Sequence, residues 1–320
     1  MDTGEEEHPL VGTIRQIIVV IADRFFLLRP LVIVPAVTFF LLGYGEARAK
    51  HTAGDGALYF AVISYAMLMG SVYVVNQLSD IESDRVNEKL FLLPNGIITK
   101  NEARVFAVLL AVFSMAAALT IGGATPWFFG LSLAMGIAYS APPFALKRFF
   151  PFDIVSNAIG YGVVAYAAGW SVVSVPTLSD LRNALPFAFC VAGVFVLTAL
   201  VDREGDQRSG FRSTGVVLNW QQGVWLALVL VVLALALAIL GHNGIATVGS
   251  ALCLPFFAYA ALKADSQSAK IAYRCSSAVF IVMVGVMRPL FLVIVLVLLG
   301  LSRVYYSKRF SLGYPSIRGR

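Results

Sequence analysis

Long unbroken apolar stretches dominate the chain, separated by short polar connections that recur at near-regular intervals. Stretches of ~17–25 apolar residues mark helices that cross a bilayer, because only a helix pairs its own backbone polar groups inside hydrocarbon. Nine are read here, over 26–44, 56–78, 103–121, 125–142, 154–175, 185–201, 220–241, 244–264 and 275–301. The expected fold is all-α and integral to a membrane, with one polytopic domain over 26–301. Residues 1–25 read as a tail and an interfacial lead-in helix, and 302–320 as a basic C-terminal tail. The opening Met1 to His8 lacks a basic segment leading into an apolar core, so no cleaved signal peptide is expected. The ninth stretch is interrupted by Arg288-Pro289 and is read as one tilted span in preference to a broken helix that would return the basic tail to the cytoplasm. Arg288 would then lie deep in the membrane, where a charge needs a partner.

Two acidic clusters interrupt the pattern at equivalent places. The first, Asn76-Gln-Leu-Ser-Asp80-Ile-Glu82-Ser-Asp84, follows the second span; the other, Asp202-Arg-Glu204-Gly-Asp206-Gln-Arg208, follows the sixth. Spans four apart end on the same membrane face whichever way the chain is inserted. The chain therefore reads as two four-helix units plus one helix, their acidic loops meeting over a central cavity open to one side and to lipid.

Composition supports this placement. Of 320 residues, 59% are hydrophobic and 13% charged, outside the range of soluble domains. A net charge of +6 invites a nucleic-acid reading, but the basic residues are scattered among loops instead of striped along one face. Orientation explains them better: loops after the even-numbered spans carry twelve Lys and Arg, against Arg48, Lys50 and Arg182 in the others. That asymmetry puts both clusters in the cytoplasm. Cys190, Cys253 and Cys275 sit in apolar spans without paired spacing and read as small hydrophobes. His8, His51 and His242 lie outside both clusters, which excludes a histidine-based metal site.

Four-residue spacing places Asn76, Asp80 and Asp84 on one helical face, and Asp202 and Asp206 on another. A lone aspartate at a helix end is ordinarily a cap or a solvated charge. Two series at equivalent ends of equivalent spans instead form an oxygen-only ligand set suited to magnesium and a phosphate group. Glu82 and Glu204 point off those faces. Lys147-Arg148, after the Pro142-Pro143 break, reads equally as an orientation signal or as a phosphate contact. Lys89, Arg208 and Arg212 are placed similarly, and Arg29 is either a snorkelling anchor or a cavity residue.

With these residues assembled, the chain resembles the UbiA superfamily of membrane-embedded prenyltransferases over nearly its whole length. Asn76-x3-Asp80-x3-Asp84 is similar to the first aspartate motif of that family and Asp202-x3-Asp206 to its second; Tyr139-Ser-x-Pro-Pro-x3-Lys147-Arg148 is similar to its tyrosine–proline–lysine stretch. Asn76-Gln77, Glu204 to Arg208, Gly210 and Thr214 resemble the homogentisate prenyltransferase, chlorophyll synthase and archaeal ether-lipid branches. Where many relatives carry Arg-Pro this chain has Leu93-Pro94, which leaves Lys89 as the nearest substitute.

The resemblance implies nine helices around a cavity and two magnesium ions held by the aspartate motifs. It implies a prenyl diphosphate donor bound by Lys89, Lys147, Arg148, Arg208, Arg212 and Arg29, with an aromatic or lipid-like acceptor. Departure of diphosphate would leave an allylic cation shielded by Tyr139. A terpene cyclase on the same scaffold, or a transporter, are the competing readings.

Overall fold

The computed structural model describes residues 9–51, 56–86 and 92–314. The first helix, α1 (Pro9–Leu27), ends where Arg29 takes a left-handed φ of 55°. Pro30 then opens α2 (Pro30–Lys50) at a position where its missing N–H costs nothing. α3 (Leu58–Val86) is 29 residues long, so it runs past its apolar stretch and carries Asp80 and Asp84 on its last turns. α4 (Lys100–Ile121) starts from a reciprocal cap between Thr99 and Glu102, and α5 (Thr125–Ser140) stops before Pro142-Pro143, which cannot continue a helix. After a short 3₁₀ turn, Leu146–Arg148, comes a continuous rod: α6 (Phe152–Asn157), a π-helical segment (Ala158–Ala165) and α7 (Tyr166–Ser171). The short α8 (Leu178–Arg182) leads into α9 (Leu185–Arg208), followed by the single turn α10 (Thr214–Val217). The chain closes with α11 (Trp220–Leu240), α12 (Gly244–Lys263), α13 (Ser266–Met287) and α14 (Pro289–Phe310).

Among the described residues, eight helices are long and apolar enough to cross a membrane. α5 and the α6–α7 rod are further apolar members of the same bundle. Neighbours pack in a ring: α2 on α3, α3 on α4 and α5, the π segment on α5 and α9, α9 on α11, α12 on α13, and α13 back on α9 and α2. One set of four helices, α2 to α5, is followed in the chain by a second set, the rod, α9, α11 and α12. The leading helices of the two sets touch backbone to backbone. A Cβ on Gly43 would lie 1.9 Å from the Tyr166 carbonyl oxygen, and one on Gly169 would lie 1.8 Å from that of Phe40. No other residue type fits either place.

The end of the chain departs from the sequence expectation of one span over 275–301. Arg288 leaves the helical region at φ −137°, Pro289 begins a new helix, and the chain reverses. α14 packs back along α13 and α2, with Leu292 against Gly285. Among the described residues, two helices, α13 and α14, stand where one span was expected. The physical reason is local: proline cannot donate to the preceding turn, so the apolar run divides there. Arg288 lies at this turn and not mid-span, its guanidinium 5.5 Å from the Tyr44 ring centroid. α14 continues to Phe310, beyond residue 302 where the tail was expected to begin. Its last turns return to the end of the bundle that carries the acidic clusters, so Arg303, Lys308 and Arg309 join the other basic loops there.

Candidate active site

A cavity of about 640 Å³ opens at that end of the bundle. α3 contributes Asn76, Asp80 and Asp84 to its wall, one helical turn apart, and α9 contributes Asp202 and Asp206 in the same way. Tyr139 enters from the end of α5, Lys147 from the 3₁₀ turn, and Arg29 from the break before α2. All five residues expected to bind metal, together with Tyr139, Lys147 and Arg29, thus share one space.

Hydrogen bonds hold two of the acidic groups and the amide beside them. Lys147 donates from Nζ to Asp80 Oδ1 at 2.5 Å, with side-chain exposures of only 8% and 19%. Burial pushes the Lys147 ammonium below the usual lysine value, and the Asp80 carboxylate works against that shift. Ser213 donates to Asp206 Oδ2 at 2.5 Å, and Asn76 donates from Nδ2 to Ser140 Oγ at 3.0 Å. Gln77, next along α3, turns the other way and donates to the Leu27 and Tyr73 carbonyls, fastening the end of α1.

The loops beside the cavity are stitched together across the two helix sets. Arg212 N donates to the Arg148 carbonyl and Phe150 N to the Arg212 carbonyl, both at 2.8 Å. Beneath them the buried Asp153 accepts from both the backbone N and the hydroxyl of Thr214, each at 2.7 Å. Asp153 and Asn157 line the cavity, as do Ser213 and Tyr273, and sequence reading missed all four. The four-residue step from Asp153 to Asn157 repeats the spacing of the recognised motifs and was the available signal.

Other expected phosphate contacts lie elsewhere. The guanidinium of Arg148 sits 5.1 Å from the Phe211 ring centroid, and its buried Nε has no hydrogen-bond partner among the described residues. Arg208 faces Glu204 at 4.0 Å on the exposed side of α9, and the Arg212 side chain is exposed. Glu82 pairs with Arg85 on the outer face of α3. Lys89 lies outside the described residues.

A smaller, mainly apolar cavity of about 220 Å³ adjoins the first, sharing Arg29, Asn76, Tyr139 and Asn157 with it. It runs between α3, α5 and the π segment past Met69, Val72 and Met135 to Tyr65 and Ser132, whose hydroxyls are 3.2 Å apart. Alongside, the Tyr73 hydroxyl donates to the Val32 carbonyl at 3.0 Å and pairs with the Tyr161 hydroxyl.

The donor set suits magnesium. Among the described residues, no three Asp, Glu, His or Cys side chains gather into a ready-made metal cage. Magnesium asks for none, since it is typically bound through one or two carboxylates and keeps water and substrate phosphates as its remaining ligands. Carboxylates in two facing pairs, with an amide beside one pair, meet that requirement.

Residues 32–276 match the model of the UbiA prenyltransferase family. The homogentisate phytyltransferase of Synechocystis sp. is 42% identical over 86 residues, covering 26% of this chain and 28% of that protein. The bacteriochlorophyll synthase 33 kDa chain of Cereibacter sphaeroides is 29% identical over 184 residues, covering 56% and 60%. The chain thus spans between about a quarter and three fifths of the length of these relatives. In fold it is similar to a solved UbiA homolog from Archaeoglobus fulgidus bound to GPP and magnesium: TM-score 0.64, 20% identity, 82% of this chain and 99% of that one.

Proposed function

The chain belongs to the UbiA prenyltransferase family, and on that premise we propose that it moves an isoprenyl group from a prenyl diphosphate to an aromatic or lipid-like acceptor, with release of diphosphate. The observation that carries this reading is the convergence of both aspartate series, Lys147 and Tyr139 on one cavity that adjoins an apolar one. The GPP and magnesium of the Archaeoglobus homolog support the donor and metal class. The relatives named homogentisate phytyltransferase and bacteriochlorophyll synthase support a ring-bearing acceptor.

Asp80 and Asp84 with Asn76, and Asp202 with Asp206, would hold two magnesium ions against the diphosphate. Bound there, magnesium supplies charge neutralisation of the leaving group. Lys147 donates to diphosphate oxygens from the position where it now meets Asp80. The C1–O bond breaks with its electron pair leaving on diphosphate, and the allylic cation is stabilised beside the Tyr139 ring. The acceptor attacks C1 and releases its proton to a cavity carboxylate. The donor tail lies in the apolar cavity, where excluded water cannot quench the cation. The excess of Lys and Arg in loops at this end, joined by those of α14, supports a site facing the cytoplasm.

The test is purified protein in detergent with geranyl diphosphate and magnesium. The acceptor panel is homogentisate, 4-hydroxybenzoate and geranylgeranylglyceryl phosphate. Acceptor-dependent diphosphate release with a prenylated product is expected. A cyclic hydrocarbon formed without acceptor would favour a cyclase, and no diphosphate release with any acceptor would refute the reading.

A further inference from the structure

The family match ends at residue 276, yet the cavity does not. Ser302 and Tyr306 of α14, and Leu312 and Tyr314 just beyond it, form part of its wall. This wall is held in place by a built clasp. Asp23 of α1, 4% exposed, accepts from the Tyr305 hydroxyl at 2.6 Å and from Nε and Nη2 of Arg309, each at 3.2 Å. Above that pairing the Phe26 ring stacks on Tyr305 with centroids 3.9 Å apart and planes 12° from parallel. Tyr306 then meets Phe26 edge-on at 5.7 Å and Tyr314 edge-on at 4.8 Å. A two-point Arg–carboxylate fork with a buried anion fixes direction as well as position, so the aromatic wall is presented to the cavity by α1 and α14 together.

Two parts of the cavity are already assigned if prenyl transfer takes place there, a reading on which this inference rests. The aspartates of α3 and α9 with Lys147 take the diphosphate. The opening past Tyr139 and Asn157 leads to the apolar cavity and takes the donor tail. Among the remaining walls, the side formed by Phe26, Tyr306 and Tyr314 is the one built of rings in mutual contact. We propose that this wall is the acceptor subsite and that it selects a planar aromatic acceptor over an aliphatic one. Offset and edge-to-face ring contacts favour a flat partner beyond the area it buries. Tyr306 and Tyr314 are therefore specificity residues, and Asp23 and Arg309 position them.

The test compares wild type with Tyr306→Leu, Tyr306→Phe and Tyr314→Leu, using geranyl diphosphate, magnesium and the acceptor panel above, each substrate varied in turn. Wild type should alkylate at least one of the two aromatic acids and not geranylgeranylglyceryl phosphate. Tyr306→Leu should raise the KM of the aromatic acid by ~10-fold and leave the donor KM within ~2-fold, because the ring that is lost belongs to the acceptor wall and not to the diphosphate or tail sites. Tyr306→Phe keeps the ring and should restore the acceptor KM. Tyr314→Leu, which lies beyond the last helix and does not threaten folding, should move the acceptor KM in the same direction. Unchanged acceptor KM in both leucine variants, or a rise confined to the donor, overturns the assignment, as does a wild type that alkylates the glyceryl lipid alone. Absence of diphosphate release by wild type with every acceptor instead removes the prenyl-transfer reading beneath it.

Discussion

Lys147 reaches out of the turn after α5 and donates to Asp80 on α3 at 2.5 Å, so the cavity holds a cation against its first carboxylate series before any substrate arrives. The pair is largely buried. Removing one partner of such a pair leaves an uncompensated charge, at a typical cost of ~3–5 kcal/mol. Lys147 thus has two tasks, balancing Asp80 at rest and meeting the diphosphate during turnover.

Separating these tasks gives the first prediction. Lys147→Ala should lower the melting temperature and raise the donor KM, with the acceptor KM unchanged. Lys147→Arg should recover stability better than donor use, because a planar fork does not replace a point charge. Steady-state kinetics beside thermal melts decide this, and a change confined to the acceptor KM would move the diphosphate elsewhere in the cavity.

The aspartates on the cavity face should behave differently from their acidic neighbours. Asp84→Ala, Asp202→Ala and Asp206→Ala are each expected to lower kcat/KM by ~100-fold or more in folded protein, as when preorganised electrostatics are removed. Glu82→Ala and Glu204→Ala, whose side chains are 77% and 89% exposed, should stay within ~2-fold of wild type, in line with surface substitutions. Comparable losses at all five positions would contradict the assignment of faces.

The Asp153–Thr214 contact joins the rod to the loop that follows α9. Thr214→Val removes the hydroxyl donor but keeps the backbone bond, so a loss of ~1–3 kcal/mol in stability is expected from the under-satisfied carboxylate. Because Ser213 holds Asp206 next door, kcat should fall as well. Hydrogen–deuterium exchange across 205–216 measures the loosening, and unaltered exchange would show that the contact does not order the loop.

Gly169 tests the architecture. With a Phe40 carbonyl oxygen 1.8 Å from any Cβ, Gly169→Val forces α2 and α7 apart. Overpacking of this kind typically costs ~1–3 kcal/mol or more, so the variant should be poorly recovered in folded form. A fully stable, fully active Gly169→Val would mean that the two helix sets do not meet there.

Much of the cavity face was legible in the sequence because helical geometry is local. Residues four apart on a span share a face, so Asn76, Asp80, Asp84, Asp202 and Asp206 could be grouped without knowing any contact. The reversal at Arg288 was legible only as the less favoured of two readings: Arg288-Pro289 and the basic tail pointed to it, but hydropathy is nearly the same on both sides of Pro289 and a reversal this tight leaves no polar loop. The different directions taken by Lys147 and Arg148 were also hidden. They are neighbours in a 3₁₀ turn, and only the fold sets one against Asp80 and the other over Phe211. Asp153 escaped notice because its partner, Thr214, lies 61 residues away.

The most direct measurement is diphosphate release from geranyl diphosphate by wild type and by Asp80→Asn, with the aromatic acids of the panel, before and after chelation. We expect acceptor-dependent release with prenylated product in the wild type, abolished by chelation, restored by magnesium, and reduced by ~100-fold in the variant. Full turnover after exhaustive chelation, or undiminished turnover in Asp80→Asn, would contradict a metal-assisted prenyl transfer at this cavity.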